Sequence, residues 1–283
     1  MSGSVPDGGK VFFSVDGTIV DSADIDGSGV TAVTKSNMSV GTHEISGFYS
    51  GTSNFDSSTS NTVMQIVNQS GTSVILTSSQ NPSTFEQSVV FTAKVAVTPP
   101  GAGTPTGSVT FYNGTTLLNN VSLSGDSAQV STASLTAGSH TIKAVYSGDS
   151  NFKSDSTTLT QTVNQSGPNV ALKSSVNPST FEQSVTFTAY VNNASHTPSG
   201  NVSFFDGTTL LGDVSLVGDS AQVSTASLTA GSHTIKAVYS GDSNFKSDST
   251  TLTQTVNQSG PNVTLKSSVN PSTFEQRDRK SVV

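Results

Sequence analysis

Residues Gly125 to Val170, GDSAQVSTASLTAGSHTIKAVYSGDSNFKSDSTTLTQTVNQSGPNV, recur letter for letter from Gly218 to Val263. A fixed internal period sets the architecture before any single residue is interpreted, because each copy must fold in the same way. A looser copy, GTHEISGFYSGTSNFDSSTSNTVMQIVNQSG, runs from Gly41 to Gly71. The chain is therefore expected to be an array of one module repeated about every 93 residues. That length is enough for each module to bury a core of its own.

Within a copy the pattern is one of short strands. In the second copy SVVFTAKVAV (Ser88–Val97) puts Val89, Phe91, Ala93, Val95 and Val97 on one face. SVTFY (Ser108–Tyr112) turns Val109 and Phe111 inward and ends at Asn113-Gly114, a hairpin signal. HTIKAVYSG alternates His140, Ile142, Ala144 and Tyr146 against Thr141, Lys143 and Val145, and TTLTQTV alternates Leu159 and Val163 with threonines. Three more strands are expected near residues 73–78, 117–123 and 128–133, the first with Val74 and Leu76 inward. Asn81-Pro82-Ser83 reads as a turn, and TPPGAGTPTG (Thr98–Gly107) as a loop. About seven short strands, with no helical period, predict an all-β fold of tandem two-sheet sandwiches. An odd number of strands with reversing connections puts the chain ends at opposite ends of each sandwich, so the modules should follow one another end to end. The third copy repeats the plan, with Val185, Phe187, Ala189, Val191, Val202 and Phe204 inward and a shorter loop, NNASHTPSG (Asn192–Gly200).

The expected boundaries follow from the alignment of the copies. Residues 70–164 and 167–257 are two full copies. Residues 1–68 are an incomplete one, because PDGGKVFFSVDGT aligns with PTGSVTFYNGT and the first two strands have no counterpart before it. Residues 260–276 begin a further copy, PNVTLKSSVNPSTFEQ matching Pro168–Gln183. Residues 277–283, RDRKSVV, leave the repeat, and their codons can be those of a common sequencing adapter; they are read as a non-native tail.

Composition narrows the function classes. The chain has no cysteine, so disulfides and thiolate metal sites are out of reach. A net charge of −7 argues against nucleic acid, which is bound by basic surfaces. No apolar run approaches the roughly 18 residues that a membrane-spanning helix needs. The first residues, MSGSVPDGG, lack the basic and apolar regions of a signal peptide.

The segments GSVTFYNGTTLL, AGSHTIKAVYSGDSNF and NPSTFEQSVVFTA together resemble the tandem bacterial immunoglobulin-like repeat, group 3 type, of large surface and secreted proteins. The resemblance covers Gly9 to Gln276. It implies immunoglobulin-like sandwiches used as stalk or adhesive modules without enzymatic activity. By the same comparison His140 stands where immunoglobulin domains carry a corner tyrosine, and Ile142 fills the place of their bridging cysteine. The first copy departs from the pattern with GTSNF in place of GDSNF.

Few residues invite chemistry. His43, His140 and His233 share one repeat position and are expected to be structural; His196 lies in a loop with no partner legible in the sequence. No catalytic or cofactor-binding residue is assigned, and no nucleophile-elbow pattern is present. Asp21, Asp24 and Asp26 in DSADIDGSG lack an acidic first ligand and a closing Glu, so a polar turn is the better reading than a calcium loop. Asp149 and Asp242, in YSGDSNF, are weak calcium candidates; the first copy has Thr52 there, which favours a turn role. Asn-x-Ser/Thr at Asn68, Asn113, Asn164 and Asn257 is mostly a matter of composition. Phe85 and Phe152 are expected to plug the ends of the sandwich.

The expected function is a non-enzymatic spacer array from a larger cell-surface or secreted bacterial protein, monomeric and extracellular. No cofactor and no definite partner are identifiable. The alternatives are an adhesin that binds a glycan or host protein through the loops 98–107 and 192–200, and an accessory region of a secreted hydrolase.

Overall fold

A computed structural model of the chain describes residues 6, 8–193, 195–267, 273–274 and 280–282, and every regular element among them is a β-strand. Packing divides the chain into two units. One holds residues 1–81, 88–132 and 139–162, the other residues 82–87, 133–138 and 163–283.

The first copy contributes β1 (Lys10–Val15), β2 (Thr18–Asp24), β3 (Gly41–Tyr49), β4 (Ser58–Thr59) and β5 (Val63–Val67). They form one sheet in the order β2–β1–β3–β4, with β5 also on β3. Among the described residues no second sheet covers its apolar face. Phe13, Val15, Val20, Val33 and Ile45 instead line an open hollow of about 610 Å³. Residues 30–39, which align with a strand of the full copies, stay outside any ladder.

The reason is visible in the second copy. It contains β6 (Thr72–Ser78), β7 (Ser83–Thr84), β8 (Val89–Val97), β9 (Ser108–Asn113), β10 (Thr116–Ser122), β11 (Ser127–Thr132), β12 (Gly138–Tyr146) and β13 (Asp155–Asn164). Two sheets result, β11–β8–β6 and β10–β9–β12–β13–β7. Strand β11 is an edge strand held by β8 alone, so a copy without a β8 has nothing to pair its β11 segment. The third copy repeats this in β14 (Asn169–Ser174), β15 (Ser179–Thr180), β16 (Val185–Asn192), β17 (Asn201–Asp206), β18 (Thr209–Ser215), β19 (Ser220–Thr225), β20 (Gly231–Tyr239) and β21 (Asp248–Asn257). Its sheets are β14–β16–β19 and β15–β21–β20–β17–β18. Beyond it β22 (Leu265–Ser267) pairs with β23 (Lys280–Val282). The rest of the expected fourth copy and tail lies largely outside the described residues.

The alternation expected from the sequence is the core. Val89, Phe91, Ala93 and Val95 face Val109, Phe111, Ile142, Ala144 and Tyr146, each at most 1% exposed. The hairpins close through Gly114 and Gly207, at φ 59° and 60°, where a side chain would be strained.

Two expectations need correction. Val97 and Leu159 are only half-buried, and Gln161 is the fully buried residue of β13. Period two places it inward, and hydrogen bonds make its burial tolerable. Its Oε1 accepts from Ser78 Oγ (2.7 Å), and its Nε2 donates to the carbonyls of Gln80 (2.9 Å) and Thr162 (3.0 Å). Gln254 does the same in the third copy with Ser174 and Val176. Second, the turn expected at Asn81-Pro82-Ser83 is a change of sheet. Asn81 Nδ2 donates to Thr160 O (2.7 Å) and its Oδ1 accepts from Thr162 N (3.0 Å), so its side chain stands in for a strand residue. Then β7 pairs in parallel with the end of β13, Ser83 opposite Val163.

Candidate functional site

Immunoglobulin-like modules present their loops at the ends of the sandwich, and the chemistry-bearing residues of this chain gather there. In the turn between β20 and β21, Gly241 has φ 79°, and a Cβ on it would stand 2.8 Å from Ser247 N and 2.9 Å from Phe245 O. Glycine is required for so tight a return. The next residue, Asp242, then lies under the backbone it has to hold. Its Oδ1 accepts from the N–H of Asn244 and of Phe245, both at 2.8 Å. Its Oδ2 accepts from Ser199 N (2.8 Å) and Ser199 Oγ (3.0 Å).

Asp149 repeats the arrangement with Asn151 N, Phe152 N and both donors of Thr106. Burial works against the charge of both carboxylates, but the hydrogen bonds outweigh it. Asp149 is held down to about 2, and Asp242 is also lowered. Tyr146 is pushed up to about 12, by burial first and by the nearby Asp149 charge second. Four donors on two oxygens are what a turn residue needs. A calcium ion would have to displace backbone N–H groups to reach them. Thr52, the counterpart in the first copy, offers only a 3.4 Å contact from Asn54 N to its Oγ1.

The three equivalent histidines sit at the opposite end. His233 Nδ1 meets Asp206 Oδ2 at 2.8 Å, and its Nε2 meets the carbonyl of Thr229 at 2.8 Å. An acceptor at each nitrogen favours the protonated form of the ring. Burial opposes the charge, but the Thr229 carbonyl and the Asp206 carboxylate outweigh it and raise the pKa. His43 makes the same pair of contacts with Asp16 and Ser39, and the Asp16 bond is the main cause of its raised pKa. In the second copy the partner of His140 is Asn113, which is neutral. Each ring ties its strand back to the hairpin before it through Asp16, Asn113 or Asp206, and the bonds of His43 and His233 to a carbonyl four residues upstream do the task a corner tyrosine performs elsewhere.

His196 does have a partner, one that sequence reasoning missed. Within the second unit its Nδ1 lies 2.6 Å from Glu86 Oε1, and its ring centroid lies 5.1 Å from that of Phe85. Phe85 also meets Phe245 edge-on, with centroids 5.4 Å apart and planes at 90°. Ala137 N donates to Asn244 Oδ1 at 2.9 Å. Phe152 is buried, as expected of a plug; Phe85 is buried too, but its ring packs on Phe245 and His196, and its counterpart Phe181 is exposed, so it does not plug its own sandwich. The signal for the Phe85 contact was its place beside Glu86 in a turn, but nothing local names a partner 110 positions away.

The connectors are fastened as well. Gln165 Nε2 donates to Asp242 O (2.7 Å), Ser166 N to Asn244 O (3.0 Å) and Lys246 N to Ser166 O (2.9 Å). Gln69, Ser70 and Lys153 make the same three bonds with Asp149, Asn151 and Ser70 in the first unit. A shallow hollow of about 460 Å³ lies by the β16–β17 loop, lined by Asn193, His196, Pro198 and Asp219. Asp21, Asp24 and Asp26 do not come together as a calcium loop. Asp26 caps its own turn through Ser28 N and Val30 N, and Asp24 pairs with Lys10 at 3.2 Å. Among the described residues no three histidine or carboxylate groups converge in a metal-binding cluster.

The family model of the bacterial Ig-like domain (group 3) matches residues 76–164 and 172–257. Solved structures are similar at low identity. A tetra-tandem repeat in the extending region of a large adhesion protein is 17% identical over 89% of this chain and 68% of that one, with a TM-score of 0.46. A 1.5-MDa bacterial ice-binding adhesin is 13% identical over 91% and 89%, with a TM-score of 0.32. Fibronectin(III)-like modules of CbhA from Clostridium thermocellum are 18% identical over 66% and 95%, with a TM-score of 0.29. No curated protein sequence matches the chain.

Proposed function

The chain belongs to the bacterial Ig-like domain family of group 3, and from that premise we propose that it is a non-enzymatic spacer of a cell-surface or secreted protein. One observation carries this reading: within the third copy the chain comes in and leaves at opposite ends of one strand ladder. It comes in at Ser166, bonded to Asn244 in the β20–β21 turn. It leaves at Asn257, whose carbonyl accepts from Phe181 N. Between the two lies the pairing of β20 with β21, from Tyr239 opposite Asp248 to Gly231 opposite Val256. At about 3.4 Å per residue a ladder of that length spans roughly 30 Å.

Each copy on this reading adds length, and three bonds fasten each connector to the copy that follows it. Near-identical copies suit such a task, since they add reach without adding a new surface. The polar groups at the loop end fit it too, because Asp149 and Asp242 are spent on their own turns.

Small-angle scattering of the whole chain tests the proposal. The expected result is an elongated monomer, with each copy adding on the order of 35 Å including its connector. A compact particle, or tight binding of a glycan through the loops 98–107 and 192–200, would replace the spacer with an adhesin.

A further inference from the structure

Two surfaces of identical design differ in whether they are covered. In the second copy Phe85 is 6% exposed, whereas its counterpart Phe181 in the third copy is 39% exposed. Glu86 and Ala137 are half-buried, whereas Glu182 and Ala230 are exposed. The backbone beneath is the same in both. Thr84 N and Thr180 N each donate to the side chain of the glutamine three residues on, at 2.9 Å. Phe85 N and Phe181 N each donate to the last residue of the neighbouring strand, Asn164 or Asn257, at 2.8 Å. Glu86 and Glu182 take the same unusual backbone angle, φ 72° and 67°. The third copy therefore holds the turn ready in the shape that, in the second, is already engaged.

What engages it is known for the covered member. Phe245 and His196 close on the Phe85 ring, Glu86 pairs with His196, and Asn244 caps the N–H of Ala137. These groups belong to the β20–β21 turn and β16–β17 loop of the following copy. The sequence from Pro261 restarts the repeat, PNVTLKSSVNPSTFEQ, so a following copy would be tethered beside Phe181 just as the third copy is tethered beside Phe85.

We propose that Phe181, Glu182 and Ala230 form a docking surface for the SGDSNF-type turn of a further copy of this module. The contact is heterologous, one end of a module meeting the other end of the next, and such contacts build open linear arrays instead of closed rings. The proposal refines the spacer reading and rests on it, because it says what sets the angle between successive copies: an aromatic edge-on contact, one ion pair and one capped N–H.

The chain contains no tryptophan, so a single indole reports on the surface without background. The experiment compares Phe181→Trp in the chain as it stands with Phe181→Trp in a chain extended at Gln276 by a further copy of Ser184–Asn257. Phe85→Trp in the original chain gives the standard for a covered site. Acrylamide quenching of F181W is expected to fall severalfold on extension, towards the F85W value, with a blue shift of emission. Replacing the Asn and Phe of the added copy's turn by alanine should restore quenching. Ala230→Trp, on the rim of the same surface, is a second reporter should the larger ring disturb the turn. Quenching unchanged on extension for both reporters, or shielding that survives loss of the turn's Asn and Phe, would overturn the proposal. Scattering of the extended chain separates this from the spacer reading: a shielded indole in a compact particle keeps the docking and removes the spacer, and an exposed indole in a rod does the opposite.

Discussion

Replacing Asp242 by alanine tests the central assignment, that this carboxylate is a turn element and not a metal ligand. The substitution removes the acceptor of four donors. The N–H of Phe245 sits on a residue that is 2% exposed, so water replaces its lost bond poorly. That term costs about 1 to 3 kcal/mol. Asn244 and Ser199 are nearer to solvent, and their donors lose on the order of 0.5 kcal/mol each as water substitutes. The sum is about 3 kcal/mol for the third copy. With a urea slope on the order of 1 kcal/mol per M, the midpoint of that copy falls by roughly 2 to 3 M. Urea unfolding of the whole chain, followed by circular dichroism, should then split into two steps. Asp242→Asn keeps the oxygen that faces Asn244 and Phe245 and should cost about half as much. Asp149→Ala in the second copy is an internal repeat of the test. If D242A and D149A both move their midpoints by less than about 0.3 M, or if calcium raises the midpoint of the parent chain and not of the variants, the turn assignment is wrong.

Further outcomes follow from the same geometry. Asp149 has a lowered pKa, so its stabilisation is present above the ordinary carboxylate value of 3.8 and is lost as pH falls from about 4 towards about 2; acid titration of stability should show that loss, and D149A should lack it. His233 has a raised pKa, so its contribution is complete below 6.5 and disappears as pH rises through the folded value. Asn113→Asp should give the second copy the same ion pair, adding about 0.5 to 1 kcal/mol at pH 5 and nothing at pH 9, as read by thermal melts. Gln254→Ala removes the fully buried amide that bonds Ser174 Oγ and the carbonyl of Val176 and leaves a void in its place; those two groups keep their own 2.9 Å bond, so the third copy should lose about 2 kcal/mol in urea unfolding. Limited proteolysis should cut within residues 1–68 well before 70–257, because one face of the β1–β5 sheet lies open; equal resistance would mean that something covers it.

The repeat and the alternation of side chains were legible in the sequence because both are local. Period two is a property of an extended chain, so Val89, Phe91, Ala93 and Val95 declare a buried face without any knowledge of the partner strand. Glycines announce the turns for the same reason, since the strain they relieve lies within two or three residues. The period also marks Gln161 as inward, yet a polar residue reads as an exception until its partners are seen. Those partners, Ser78 and Gln80, arrive from about 80 positions earlier in the chain. Only the packed fold brings them within reach.

The same distinction explains what the tertiary structure alone decided. That residues 83–84 leave one sheet and join the other depends on where the end of β13 comes to rest, which no window of sequence contains. That His196 and Phe245 close on Phe85 while Phe181, with the same neighbours in sequence, stands exposed depends on side chains that are distant in sequence from either turn. Identical sequence yields identical strands because backbone hydrogen bonding and alternation act within the copy. It yields different surfaces because burial is settled by whatever arrives from outside it.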